Sequence, residues 1–331
     1  METRLRNYLS NIKKFTGAVL IAKDDEIIFK EAFGLACDGV QNTTKSNFGI
    51  GSVTKSFTAL SIMQLVEKNK LKLNDKVIDF FEEIYPDAKI TIHHLLNQTS
   101  GIPNYLFDKR VQTGDDFTPE QIIDLVLEKP LKFQPGKKWQ YSNTNYLLLA
   151  QIIETVTNQS FHEYVTEHIL LPAGMENSFF DGEKEDNKAQ YWESVFHCKP
   201  SLLLGAGDLV SNVEDLFLYD QALSSDRLAT TESIKKMQSI SYDGTLVKYG
   251  YGWFIKNNFG RQSISHGGFH PIGYTSHFEK FVEENLTIIV LSNKLQKNSP
   301  LGVKYFNSTD LGREIGARAF GKTAFPWQKF N

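Results

Sequence analysis

A serine hydroxyl becomes a nucleophile when a neighbouring base can take its proton, and a lysine three residues further along a helix lies on the same face, one turn away. The sequence places such pairs at Ser10 and Lys13, Ser52 and Lys55, and Ser233 and Lys236. Spacing alone does not choose among them. Lys13 and Lys236 each stand beside a second lysine, Lys14 and Lys235, as on a solvated face. Ser52 instead follows Phe48-Gly49-Ile50-Gly51, small residues that allow close backbone approach, and opens an apolar run through Phe57, Leu60, Met63 and Leu65. Lys55 is therefore expected in a walled-in first turn, where burial and the positive helix end both disfavour the ammonium and favour the neutral base. The same residues would also suit a helix N-cap at Ser52 with Lys55 reaching to solvent.

Two further segments carry groups that could serve such a serine. Tyr141-Ser142-Asn143 follows the turn Phe133-Gln134-Pro135-Gly136 and precedes an apolar helix. A phenol at that corner can relay a proton, and the Asn143 amide can orient a carbonyl or the lysine; a helix cap beside a core tyrosine is the alternative, and Tyr305-Phe306-Asn307 repeats the spacing. His266-Gly267-Gly268 closes a β-rich run ahead of Phe269 and reads as an edge strand whose glycines let a substrate approach the main chain. A glycine-rich turn with an incidental histidine reads equally well.

The elements that must hold these groups fall into three regions. Residues 1–15 form an amphipathic helical stripe, and Gly17–Ala22 and Glu26–Phe33 read as a hairpin. Tyr249–Lys256, Gln262–His266, Ile272–Glu279 and Leu286–Ser292 read as further strands, and Thr309–Phe320 as a closing helix. The stretch between is mostly helical. The pattern predicts an α+β chain in which residues 1–69 and 246–331 build a sheet domain and residues 70–245 an inserted helical one.

With 331 residues, 41% hydrophobic, and a net charge of −3 without a basic field, the chain has material for a sizeable core and no electrostatic footprint for nucleic acid. No stretch nears the roughly 18 uncharged apolar residues of a membrane span. The first 15 residues lack an apolar signal core, which predicts a cytoplasmic location unless a signal precedes Met1. Cys37 and Cys198 match no metal spacing and read as free thiols. His93-His94, and His162-Glu163 with Glu167-His168, miss the spacing of a helical zinc site, and no Gly-x-Ser-x-Gly elbow occurs. No metal or cofactor is expected.

Taken in order, Ser52-Val53-Thr54-Lys55, Tyr141-Ser142-Asn143 and His266-Gly267-Gly268 resemble the three active-site boxes of the serine β-lactamase and penicillin-binding-protein superfamily, in particular its branch of class C β-lactamases, DD-carboxypeptidases and esterases. The resemblance extends over Phe48–Leu60, His94–Ile102, Phe133–Asn143, Gly205–Leu216, Tyr249–Trp253 and His266–Gly268. It implies a five-stranded antiparallel sheet flanked by helices with an inserted all-helical domain, the site lying between them. It also implies that Ser52 attacks, Lys55 and Tyr141 share the proton work, Asn143 orients, and the main-chain N–H groups of Ser52 and Phe269 hold the oxyanion.

Where members that bind penicillins usually carry Lys-Thr-Gly, this chain has His266, Gly267 and Gly268, and Gln98 stands where the family has His before Thr-Ser-Gly. Losing a fixed cation and a hydroxyl removes the grip on a substrate carboxylate. The expectation is an acyl-enzyme hydrolase acting on an ester, an amide or a D-amino-acid peptide. A penicillin-binding DD-carboxypeptidase, a weak β-lactamase or a catalytically silent peptide-binding homologue are the alternatives.

Overall fold

Gly17–Lys23 (β1) and Glu26–Phe33 (β2) pair across a two-residue turn in which Asp24 and Asp25 both take positive φ, 53° and 64°. That turn geometry matches the right-handed twist of the strands it joins. The computed structural model describes residues 2–9, 15–113, 115–183, 187–191, 199–271, 273–294 and 307–322. The main sheet continues with Phe254–Asn258 (β3), Arg261–Phe269 (β4), Thr275–Phe281 (β5) and Leu286–Ser292 (β6), in the antiparallel order β2-β1-β6-β5-β4-β3. β5 and β6 are buried along their whole length, both sheet faces being covered there: β6 is a mainly apolar run, whereas β5 buries Thr275, Ser276, His277, Glu279 and Lys280.

Alternation along β1 sorts the two faces. Val19 and Ile21 join Leu5 and Leu9 of helix Glu2–Leu9 (α1) and Leu311 and Ile315 of the closing helix in one apolar cluster. Ala18, Leu20 and Ala22 point the other way, into the large core shared with Thr54–Glu67 (α2), Asn143–Thr157 (α3) and Val213–Leu223 (α4). The closing helix, Ser308–Ala319 (α5), packs on β5 and β6 and is capped by Asn307, whose side chain accepts from the Asp310 N–H. α2 is buried on every side from Thr54 to Leu65, its Ser, Thr and Lys side chains included, so it runs through the centre, against α3.

The α+β class holds, and the strand count differs from the five expected. Among the described residues eight strands form the main sheet, because the six β-rich runs all pair and a hairpin of Tyr242–Asp243 with Lys248–Tyr249 extends its β3 edge. Tyr249–Lys256, expected as one strand, is broken at Gly252, whose φ of +76° turns the chain and where an added Cβ would stand 2.8 Å from the Lys55 carbonyl oxygen. β4 is not an edge strand as a whole: it lies between β5 and β3. Since β3 starts at Phe254, opposite Ser265, the segment His266–Phe269 runs past its end and is paired only with β5.

A small sheet brings distant chain to the site: Leu209–Ser211 pairs with Phe48–Gly49 on one side and Phe179–Phe180 on the other. Among the described residues no helix is long and apolar enough to cross a membrane, and no group of three His, Cys, Asp or Glu is placed to hold a metal. His93 is engaged by Tyr251 at 2.7 Å, and His162 by Asp208 at 2.9 Å. Cys37 is a half-buried free thiol, while Cys198 and Ile272 lie outside the described residues, as does Lys13.

Candidate active site

Gly51–Val53 form a tight 3-10 turn into α2, with Gly51 at φ +50°. An added Cβ at Gly51 would stand 2.9 Å from the Phe269 main chain, so the turn and the end of β4 meet as bare backbone. Ser52 is partly exposed and Lys55 fully buried on the same face, Lys55 Nζ to Ser52 Oγ being 3.0 Å. Lys55 Nζ also lies 2.7 Å from Asn143 Oδ1 and 2.6 Å from the Ala206 carbonyl. Burial holds the lysine well below its usual pKa, and the charge of Asp208 is the opposing influence.

Both of those oxygens can only accept. In the neutral amine that burial favours, they take both N–H bonds and leave the lone pair for the Ser52 hydroxyl 3.0 Å away. The arrangement thus fits a base.

Asn143 is the first residue of α3, and Tyr141 sits two residues before it. This corner is fixed by a residue whose contribution the sequence left unread. The Gln98 side-chain carbonyl accepts from the Ser142 N–H at 2.9 Å and from Asn145 Nδ2 at 2.6 Å, and its main-chain carbonyl accepts from Gln140 N–H at 3.0 Å. Gln98 does so from a left-handed backbone, φ +65°, fully buried. The Tyr141 ring lies 5.0 Å from Lys55 Nζ, beside Trp139 and Phe254. Its hydroxyl is buried without a hydrogen-bond partner at bonding distance. Burial and the Tyr249 phenol push its pKa well above the usual value, with Ser52 near enough to offset part of the rise. Tyr141 is a neutral phenol, a proton donor.

On β4, His266 is buried under Tyr249 and Phe254. Its Nδ1 is 2.7 Å from the Gly267 carbonyl and its Nε2 3.4 Å from the Tyr249 hydroxyl. Burial, with Lys55 nearby, pushes its pKa down to about 3, so the imidazole is neutral at ordinary pH and supplies no cation. A threonine at Gly267 would require Thr309 to turn aside: an added Cβ would meet Thr309 Oγ1 at 2.5 Å. At Gly268 it would meet the Ile50 carbonyl at 2.0 Å and Ser276 Oγ at 2.1 Å. Gly268→Ala must therefore push β4 away from the turn that carries Ser52. The expected cost is about 1–3 kcal/mol or more, as for overpacked cores, read from urea denaturation, together with a loss of turnover.

The structure thus brings Ser52, Lys55, Tyr141, Asn143, His266, Gly267, Gly268 and Phe269 to one place, between α2, α3 and the end of β4. The competing serine, Ser233, is capped by Thr230, and Lys236 is exposed. The β-lactamase family model matches residues 5–311. The chain belongs to the β-lactamase family of serine hydrolases. A penicillin-binding protein of Bacillus subtilis is 33% identical to it, over 85% of this chain and 68% of its own. The octameric penicillin-binding protein homologue from Pyrococcus abyssi superposes with a TM-score of 0.83 at 29% identity, covering 97% of this chain and 78% of that one. The D-amino acid amidase from Ochrobactrum anthropi shares the family's fold, with a TM-score of 0.77 at 21% identity over 88% of this chain and 91% of its own.

Proposed function

We propose that Ser52 forms an acyl-enzyme with esters or D-amino-acid amides, with Lys55 as general base and Tyr141 as general acid. The observation that carries this is the lysine's hydrogen-bond geometry. With two N–H bonds held by Asn143 and Ala206, the lone pair takes the Ser52 proton as the Oγ–carbon bond forms. Tyr141, a neutral phenol, gives its proton to the departing alkoxide or amine and recovers one from the Lys55 ammonium. The main-chain N–H groups of Ser52 and Phe269 hold the oxyanion, and water repeats the sequence to release the acid.

Substrate class follows from β4. A terminal carboxylate finds neither a fixed cation at His266 nor a hydroxyl at Gly267, so the site favours neutral acyl compounds. One observation favours a second reading, a peptide carboxylate: the Thr309 hydroxyl stands beside Gly267, with exposed Arg313 one helical turn on.

The test has two parts. A fluorophosphonate should give an adduct on the Ser52 peptide by mass spectrometry, and absence of any adduct overturns the acyl-enzyme. In steady state, p-nitrophenyl esters and D-phenylalanine p-nitroanilide should exceed nitrocefin in kcat/KM by roughly 10- to 100-fold, the worth of lost charge-assisted bonds. Nitrocefin turned over fastest, or D-alanyl-D-alanine peptides preferred to their amides, would reverse the substrate assignment.

A further inference from the structure

The Ala206 carbonyl that binds Lys55 belongs to a turn, residues 203–208, that nothing in the proton transfers described above explains. That turn is held from behind. Asp208 Oδ1 accepts from the Gly205 N–H at 3.2 Å, Thr58 Oγ1 donates to the Gly205 carbonyl at 2.6 Å, and Gly205 itself takes φ +65°. Asp208 is buried, 1% exposed, and its other oxygen lies 2.9 Å from His162 Nε2. The imidazole stacks on Phe180 at 4.0 Å and reaches Glu183 at 3.5 Å, where a surface cleft of about 370 Å³ opens. A buried carboxylate is costly unless paired, and a side chain needed only to close a turn could be neutral.

We propose that Asp208 and His162 form a positioning pair for Lys55, holding the turn that carries Ala206 and placing one negative charge behind the amine. The proposal rests on Lys55 being the base for Ser52. The groups facing Lys55 are Ser52 from the turn that opens its own helix, His266 from β4, Tyr141, Asn143 and Tyr146 from the α3 side, and Asp208 from the 203–208 turn. Of these, Asp208 is the one whose charge favours the lysine's proton. Its effect is to keep a fully buried lysine from becoming too weak a base to accept the serine proton. Around His162, burial disfavours the cation, while Asp208, Glu183 and Glu154 more than offset it. The cation in turn offsets the burial that drives the Asp208 carboxyl up.

The sign of the effect makes the test. Removing the charge but keeping the Oδ1 acceptor, Asp208→Asn, lowers the lysine's pKa, so the acid limb of kcat/KM moves to lower pH, by about one unit for a nearby opposite charge. The pH dependence of Ser52 labelling by a fluorophosphonate should move with it, which removes substrate binding from the comparison. A pair that merely supports the fold lowers the plateau and leaves the limb in place; an unmoved or raised limb in folded Asp208→Asn overturns the proposal. Should that variant not fold, as judged by thermal melting, the decision passes to His162→Gln at its part-exposed position. There the charge that reaches Lys55 changes, through the lost cation and through the carboxyl that the cation held ionised, so the limb moves, and an unmoved limb in the folded variant overturns the proposal. Failure of the underlying reading looks different: folded Lys55→Met would then keep the acid limb of the wild-type chain.

Discussion

Ser52→Ala is expected to lower kcat/KM for the best ester or amide by about 10⁴- to 10⁶-fold and to abolish the fluorophosphonate adduct, the loss seen when the nucleophile of a serine hydrolase is removed. The size follows from what the change leaves intact. Alanine keeps the main-chain N–H at the oxyanion position, the 3-10 turn and the packing around Gly51, so the transition state loses only its attacking atom. The melting temperature should stay within a degree or two of the wild type, since Ser52 Oγ is partly exposed and its partner Lys55 retains Asn143 and Ala206. Ser233→Ala is the matched control, with the same spacing to a lysine. Ser233 caps nothing in the site and Lys236 is solvated, so its activity should be unchanged. A Ser52→Ala chain that hydrolyses within tenfold of the wild type would place the nucleophile elsewhere.

What the sequence showed and what it hid divide along a physical line. The placing of Ser52 beside a buried Lys55 was legible because the small residues before it and the apolar positions after it are local: Gly51 and the buried α2 are the features that bring the two side chains together. The sheet was legible for the same reason, as runs of β-rich residues, although its two-residue edge strands are too short to leave a pattern. Gln98 was noticed only as a departure, since its grip on the Tyr141 corner spans 44 residues and depends on a left-handed backbone that no glutamine signals. Ala206 was invisible in principle, because it acts through a carbonyl that every residue has. His266 is legible in the sequence only as the loss of a fixed cation, whereas its burial beneath Tyr249 and Phe254 keeps it neutral. Spacing identifies which groups meet; burial, which sets their charge, is a property of the whole fold.

That distinction sets the second large effect. Lys55→Arg keeps a positive charge at the site and is expected to lower kcat/KM by about 10³-fold, within the 10²- to 10⁴-fold range of general-base catalysis. An arginine side chain is never deprotonated in a protein and has donors but no acceptor. It could satisfy the Asn143 and Ala206 carbonyls that Lys55 now satisfies, and still have no lone pair for the Ser52 proton. If Lys55 instead worked as a fixed cation beside the oxyanion, arginine would serve nearly as well. A loss below tenfold would therefore assign Lys55 an electrostatic role and move the base to Tyr141, whose buried phenol would then have to ionise against its raised pKa. Because Lys55 is fully buried and arginine is bulkier, the comparison needs Lys55→Met, similar in length and uncharged. Both variants lack a base, so both should label slowly with fluorophosphonate and lose the acid limb of the pH profile. A folded arginine variant that retains that limb would show that the limb belongs to another group.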